Sequence, residues 1–262
     1  MILLKILFLG DIFGRPGRRA VEAFLPEFKN KNNVDLCIAN CENLSNGKGV
    51  CERTVSEMLV AGVDLFSSGN HFWDKKASME YLSKEKRIAK PLNYPKDSIG
   101  FDHVLTSVND IPVMLLTVCG HAYMHPVDSP FRVLDNFLNS YIDLPKHIII
   151  DFHAESTAEK KTFGYYFDGR VSAILGTHTH IQTADEEILK KGTAYITDVG
   201  MCGSHDSVIG ITKEIAFERI KTGMPVRHEV ATEGMQINGV YIELDDTNGK
   251  ALNIERIKVR MT

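Results

Sequence analysis

The chain predicts an α/β fold in which two packed β-sheets share an edge that carries the functional site. Three observations lead there. The first 67 residues alternate strand, helix, strand, helix, strand, the order of a parallel sheet with helices on both faces. After Pro95 the pattern changes to paired strands and hairpin-like turns. Several apolar, β-prone runs end in Asp, Glu, Asn or His, and strand ends are where α/β sheets build active sites.

Leu3 to Leu9 is almost continuously apolar, which suits a central strand covered on both faces. Gly10 to Arg18 forms a turn region, and a helix follows from about Arg18 to Lys31, with Val21, Phe24, Leu25 and Phe28 at helical spacing. Val34 to Ala39 is a second strand, Asn46-Gly47-Lys48-Gly49 a flexible loop, Glu52 to Ala61 a second helix and Val63 to Ser67 a third strand. Asp74 is placed to cap a helix through Met79 and Leu82. Strands at Asp102 to Ser107 and Pro112 to Val118 flank Asn109-Asp110, a hairpin signal. Phe131 to Ser140 reads as a helix, and His147 to Phe152, Val171 to Leu175 and Ala194 to Thr197 as buried strands. Two last strands, Val240 to Leu244 and Ile254 to Val259, are joined by Asp245 to Gly249. No repeat or long linker interrupts the chain. Residues 1–262 are expected to form one domain, its two halves supplying the two sheets.

With 44% hydrophobic and 24% charged residues, the composition is that of an ordinary globular protein. The longest apolar runs are strand-sized, below the roughly 20 residues of a membrane helix, so no membrane partner is expected. The net charge of −4 gives no global attraction to nucleic acid. The start does not read as a signal peptide, since its apolar run leads directly into Gly10-Asp11 without a cleavage signature. Five cysteines with no C-x-x-C pair point to a reducing, cytoplasmic setting. Cys37 and Cys119 sit in strands as small core residues. Cys41 and Cys51 flank the site, but no His is paired to them in sequence and a hard-metal site does not need thiolate.

The residues at the strand ends are Asp11, Glu42 with Asn43, Asn70 with His71, His153, and the pair His178 and His180. Each has an ordinary alternative. An Asp in a Gly-Asp turn is often only a turn former, and a lone His is more often structural. In extended chain, residues i and i+2 point to the same side, so His178 and His180 would face one metal pair. Together, carboxylate, amide and imidazole groups without thiolate suit manganese, iron, zinc or similar ions. A carboxylate bridging two ions about 3.5–4 Å apart would clamp an attacking hydroxide and a phosphate oxygen, and Glu42 is the choice for that bridge.

These blocks resemble the calcineurin-like metallophosphoesterases, whose motifs are G-D, G-N-H, H and G-H-x-H in this order. More closely, they resemble the YmdB-like branch. The matching stretches are Gly10 to Arg18, Ala39 to Asn43, Gly69 to Asp74, Asp151 to Glu155, Asp168 to Ala173, Gly176 to Asp185 and Tyr195 to Met201. The usual D-x-H start is Asp11-Ile12-Phe13 here and the usual bridging Asp is Glu42; the branch shares both departures. Cys41 stands where Gly is common.

The resemblance implies a four-layer α/β/β/α sandwich, two packed mixed β-sheets flanked by α-helices. It implies that Asp11, Asn43 and His180 hold one metal, that Asn70, His153 and His178 hold a second, and that Glu42 bridges them. The ions would be divalent or trivalent, iron or manganese before zinc or magnesium. His71 would contact the phosphate and protonate the leaving oxygen, and a metal-bridging hydroxide would attack. The expected activity is hydrolysis of phosphodiesters such as 2′,3′- or 3′,5′-cyclic nucleotides. An RNA-related partner and self-association into a homo-oligomer stay open.

Other groups are open both ways. Arg15 and Arg18 begin a helix, where anions are favoured, but equally read as solvent-facing. Asp151 and Asp198 are candidates to orient ligating imidazoles, and Trp73 to stack a base. Two competing functions remain: a metal-stabilised regulatory or scaffold protein with little turnover, and a phosphomonoesterase or nucleotidase using the same metals. A dinucleotide-binding reading is poor, because Gly10-Asp11-Ile12-Phe13-Gly14 lacks the G-x-G-x-x-G spacing.

Overall fold

Alternation along β1 (Leu3–Ile12) sets the layering. Leu4, Ile6 and Phe8 point into a core shared with the second sheet, whereas Leu7 and Leu9 point into a core covered by helices. The computed structural model describes residues 3–261. The first sheet has the strand order β12-β11-β10-β1-β2-β3, with β2 (Leu36–Asn40), β3 (Leu65–Ser67), β10 (Met201–Ser204), β11 (Met235–Asp245) and β12 (Ala251–Arg260). The second has the order β4-β5-β6-β7-β9-β8, with β4 (His103–Val108), β5 (Ile111–Cys119), β6 (His147–His153), β7 (Ala173–Thr177), β8 (Glu187–Ile188) and β9 (Ala194–Ile196).

Three cores make four layers. α1 (Gly14–Asn32) and α2 (Glu52–Ala61) cover the first sheet through Val21, Leu25, Val55 and Met58. α4 (Pro130–Ser140) and α5 (Thr157–Phe167) cover the second through Leu134, Leu138, Phe163 and Phe167. The middle core joins the sheets, pairing Ile6 and Phe8 with residues such as Leu115, Ile149 and Leu175.

The expectation of helices on both faces of the first sheet fails, because its second face is covered by the other sheet. The two halves do not supply the two sheets either: β10, β11 and β12 return to the first sheet. β11 runs antiparallel to β1 from Leu3↔Asp245 to Leu9↔Gly239, and β10 runs parallel to it at Asp11↔Met201. Asp74 caps no long helix. Only a 3₁₀ turn, Lys76–Ser78, and the short α3 (Met79–Leu82) follow, and the Asp74 carboxylate turns instead to His71. The β4–β5 hairpin forms as expected, with Asn109 and Asp110 at φ 51° and 64°, the left-handed pair that a tight hairpin turn requires.

Candidate metal centre

Close backbone approaches place the strand-end residues. A Cβ on Gly10 would lie 1.9 Å from the Gly200 carbonyl oxygen, so only glycine lets the end of β1 run against the turn before β10. Asp11, next in the chain, is wholly buried. Glu42 and Asn43 occupy the turn after β2, where the Glu42 amide donates to Asn40 Oδ1 at 3.0 Å. Asn70 and His71 follow β3, and the His71 amide donates to Glu42 Oε2 at 2.9 Å. His153 ends β6.

His178 and His180 lie just beyond β7, and not in the extended backbone assumed from their spacing. Their φ angles are 100° and 65°, left-handed values that cost energy for side chains with a Cβ and gather at functional sites. Both imidazoles still reach the cluster.

The side chains form two groups around Glu42. On one side, His153 Nε2 lies 2.9 Å from Asn70 Oδ1, 3.1 Å from His178 Nδ1 and 3.2 Å from Glu42 Oε2. Potential ligand atoms of Glu42, His153 and His178 all fall within 4.8 Å of one another. On the other side, His180 Nε2 lies 3.2 Å from Asn43 Oδ1 and 3.9 Å from Asp11 Oδ1. Asp11 Oδ1 is buried with no hydrogen-bond partner, an expensive state unless something positive meets it. Its other oxygen accepts from the His178 amide at 3.2 Å. This orphaned oxygen, together with donors that are all oxygen or imidazole nitrogen, fits hard-to-borderline metal ions.

The charges are mutually dependent. Burial alone would raise the Glu42 carboxyl, but His153 and His71 outweigh it and hold the group at about 2. Burial works against a charged His153, yet Glu42, Asp11 and Asp151 raise it to about 9. His178, buried and beside His153, is pushed down to about 3. Burial raises Asp11, with the neighbouring imidazoles opposing it.

A second ring of contacts orients the imidazoles. Asp151 Oδ1 accepts from Thr177 Oγ1 at 2.6 Å, and Thr177 Oγ1 lies 2.8 Å from His153 Nδ1. Asp151 therefore acts through Thr177 and not directly. Lys160 on α5 donates to Asp198 Oδ2 at 2.6 Å and to the Thr177 carbonyl at 2.7 Å, all fully buried. Asp198 in turn accepts from the Thr179 and Gly200 amides. Lys160 escapes sequence reasoning, since a lone Lys in a helix reads as solvent-facing. His180 Nδ1 is held 2.9 Å from the Ile209 carbonyl oxygen.

The cluster opens into a cavity of about 420 Å³ lined by Glu42, Asn43, His71, His178 and His180 and, on its outer wall, by Lys48, Arg219 and His228. A second hollow, against Asn70 and His178, is walled by Tyr123 to Pro126. Neither Arg219 nor His228 stands out in sequence, because their segment is polar and lacks a motif. Arg18 is structural: it is buried, pairs with Glu57 at 2.5 Å and donates to the Leu44 carbonyl. Arg15 lines a separate surface hollow. Trp73 packs on Phe72 and Tyr94 and donates to the Ile99 carbonyl. Cys41 is buried, Cys51 begins α2, and all five cysteines are free.

This layered arrangement is the calcineurin-like metallophosphoesterase fold. Over 256 residues the chain is 40% identical to the 2′,3′-cyclic-nucleotide 2′-phosphodiesterase of Bacillus subtilis strain 168, covering 98% of this chain and 97% of that one. A crystal structure of a Mycoplasma pneumoniae phosphatase superposes with a TM-score of 0.94 at 35% identity, covering 99% of this chain and 94% of the other. A Thermus thermophilus protein superposes at 0.92 with 37% identity, over 98% of this chain and all of the other. The sequence profile of the YmdB-like proteins matches residues 7–257, and the chain belongs to that family.

Proposed function

We propose that the protein hydrolyses phosphodiesters, 2′,3′-cyclic nucleotides among them, at a dinuclear metal centre. It is an enzyme of phosphoester bonds, as its relatives' names indicate. The observation that carries the dinuclear reading is the position of Glu42. Its carboxylate lies 3.2 Å from His153, in the group with Asn70 and His178, and the next residue in the chain, Asn43, belongs to the second group with Asp11 and His180. The first group would hold one ion and the second another, with Glu42 shared. Two bound ions supply Lewis acidity toward a water and a phosphoryl oxygen at neutral pH. Oxygen and imidazole donors without thiolate suit iron, manganese, zinc or similar ions.

The chain's own groups do the rest. His71 stands at the cavity, tied to Glu42 through its amide, with Nδ1 held 2.9 Å from Asp74 Oδ2. That contact orients the ring and leaves Nε2 to carry the proton to the departing ribose oxygen. Lys160, Asp198 and Thr177 hold the His178–His180 turn and the His153 ring in place. Five free thiols fit a reducing cytoplasm.

The test is turnover of adenosine 2′,3′-cyclic phosphate by metal-reconstituted protein, with a phosphomonoester alongside. Cyclic-diester cleavage that a chelator abolishes supports the reading. Two tightly bound metals without turnover of either compound would point to the regulatory or scaffold alternative. Faster monoester cleavage would make the phosphatase reading the better one.

A further inference from the structure

The outer wall of the catalytic cavity carries positive groups that neither the metals nor His71 account for. Lys48 comes from the Asn46 to Gly49 loop, Arg219 from α6 (Lys213–Thr222) and His228 from the segment after it. Three separate stretches thus bring cations or imidazole to one side of one cavity. Arg219 Nη1 donates to His228 Nε2 at 3.0 Å, and both residues line the cavity. Among the described residues, neither Lys48 nor Arg219 has a carboxylate within ion-pair distance, whereas Arg18, Lys160 and Lys213 each do. Of the two acidic groups lining the cavity, Glu42 lies against His153 and Glu155 turns to His178 at 3.2 Å. Ile209 and Ile211 give the floor between an apolar surface.

Resting on the phosphodiesterase reading, we propose that Lys48 and Arg219, with His228 as the brace for Arg219, bind a second, non-scissile phosphate of the substrate. The ligand class is therefore a nucleotide with a phosphate beyond the one cleaved. A guanidinium presents paired N–H donors that match phosphate oxygens, and an ammonium adds charge without strict geometry. The apolar floor suits the ribose and base that separate the two phosphates.

Three substrates test this: adenosine 2′,3′-cyclic phosphate, the same nucleotide with a 5′-phosphate, and the dinucleotide ApA ending in a 2′,3′-cyclic phosphate. The wild-type enzyme prefers at least one two-phosphate compound by about tenfold or more in kcat/KM, the scale of one charged hydrogen bond. Which compound wins separates a terminal phosphate from an internucleotide linkage. Arg219→Ala and Lys48→Ala shrink that preference, mainly through KM, and Arg219→Lys restores part of it. No preference in the wild type, or an equal fall for all three substrates in Arg219→Ala, overturns the proposal. If none of the three is cleaved, the phosphodiesterase reading fails by itself. Fluorescence anisotropy of labelled adenosine 2′-phosphate, the same nucleotide with a 5′-phosphate, and ApA ending in a 2′-phosphate then still decides: equal affinity for all three overturns the second-phosphate site, and tighter binding of a two-phosphate probe that Arg219→Ala abolishes upholds it.

Discussion

The ring of Phe13 meets the imidazole of His180 edge to face, with centroids 5.3 Å apart and planes at 72°. Phe13 stands two residues after Asp11 and is buried. Gly47 and Gly210, both with positive φ, press their backbones onto the ring; a Cβ on either would come within 2.6 Å of it. Phe13 thus joins the Lys48 loop, the Ile209 loop and His180 in one packed unit.

Phe13→Ala opens a cavity under all three. It lowers stability by about 3 kcal/mol, read by chemical denaturation. It also frees His180, so metal content by elemental analysis falls toward one ion per chain. Two tightly held ions in the variant would show that the ring does not steady the centre.

His71→Ala lowers kcat by about a hundredfold to ten-thousandfold, the usual yield of a positioned general acid. Metal content stays near the wild-type level because the His71 amide, which donates to Glu42, is kept in the variant. A parallel loss of metal would give His71 a different role.

Thr177→Val removes the hydroxyl between Asp151 and His153 while keeping the shape. Both partners are buried, so stability falls by about 1–3 kcal/mol. Metal affinity falls about tenfold to a hundredfold as the His153 ring loses its anchor. Competition against a fluorescent chelator measures the second effect.

Lys160→Met leaves Asp198 buried without its counter-charge. Removing one member of such a pair costs about 3–5 kcal/mol, visible in urea denaturation. Adding Asp198→Asn to the same chain recovers part of the loss, since the uncompensated charge is then gone.

Chelation lowers Tm, and metal restores it. The orphaned Asp11 oxygen and the imidazoles crowded around Glu42 need a cation between them. At one hundred times Kd each ion adds about 2.7 kcal/mol. A Tm unmoved by chelator, with metal demonstrably removed, would mean that the protein holds the cluster together unaided.

Much of the fold is legible because local signals and burial agree. Helix α2 spans the expected Glu52 to Ala61, between a capped start at Cys51 and Gly62 in left-handed backbone. The β4–β5 hairpin is written in Asn109-Asp110. Elements whose reason lies elsewhere in the molecule are not legible. α5 carries Lys160 where a helix packed on a sheet would show an apolar residue, and its charge is explained only by Asp198, 38 positions away. α6 buries no side chain, so no apolar stripe announces it. β8 and β10 are too short for alternation to show. In the site, strand ends identify the residues that come together, but periodicity could not foresee the left-handed backbone at His178 and His180. The cationic wall belongs to two loops and an exposed helix, whose meeting is a matter of tertiary structure alone.

The return of the last strands to the first has a bearing on how the molecule is made. β1 is made more than 220 residues ahead of β11, whose partners for Leu3 to Leu9 are residues 239 to 245, so one of its edges has to wait. At about 5–20 residues per second, that edge stays open for roughly ten to fifty seconds on the ribosome. It is long, apolar and unpaired meanwhile, the kind of strand that recruits strangers. Asp11 at its tip gains His178 and His180 as neighbours only after more than 160 further residues have been added. The complete cluster therefore assembles only once the chain beyond β7 has been made, and metal loading follows that point.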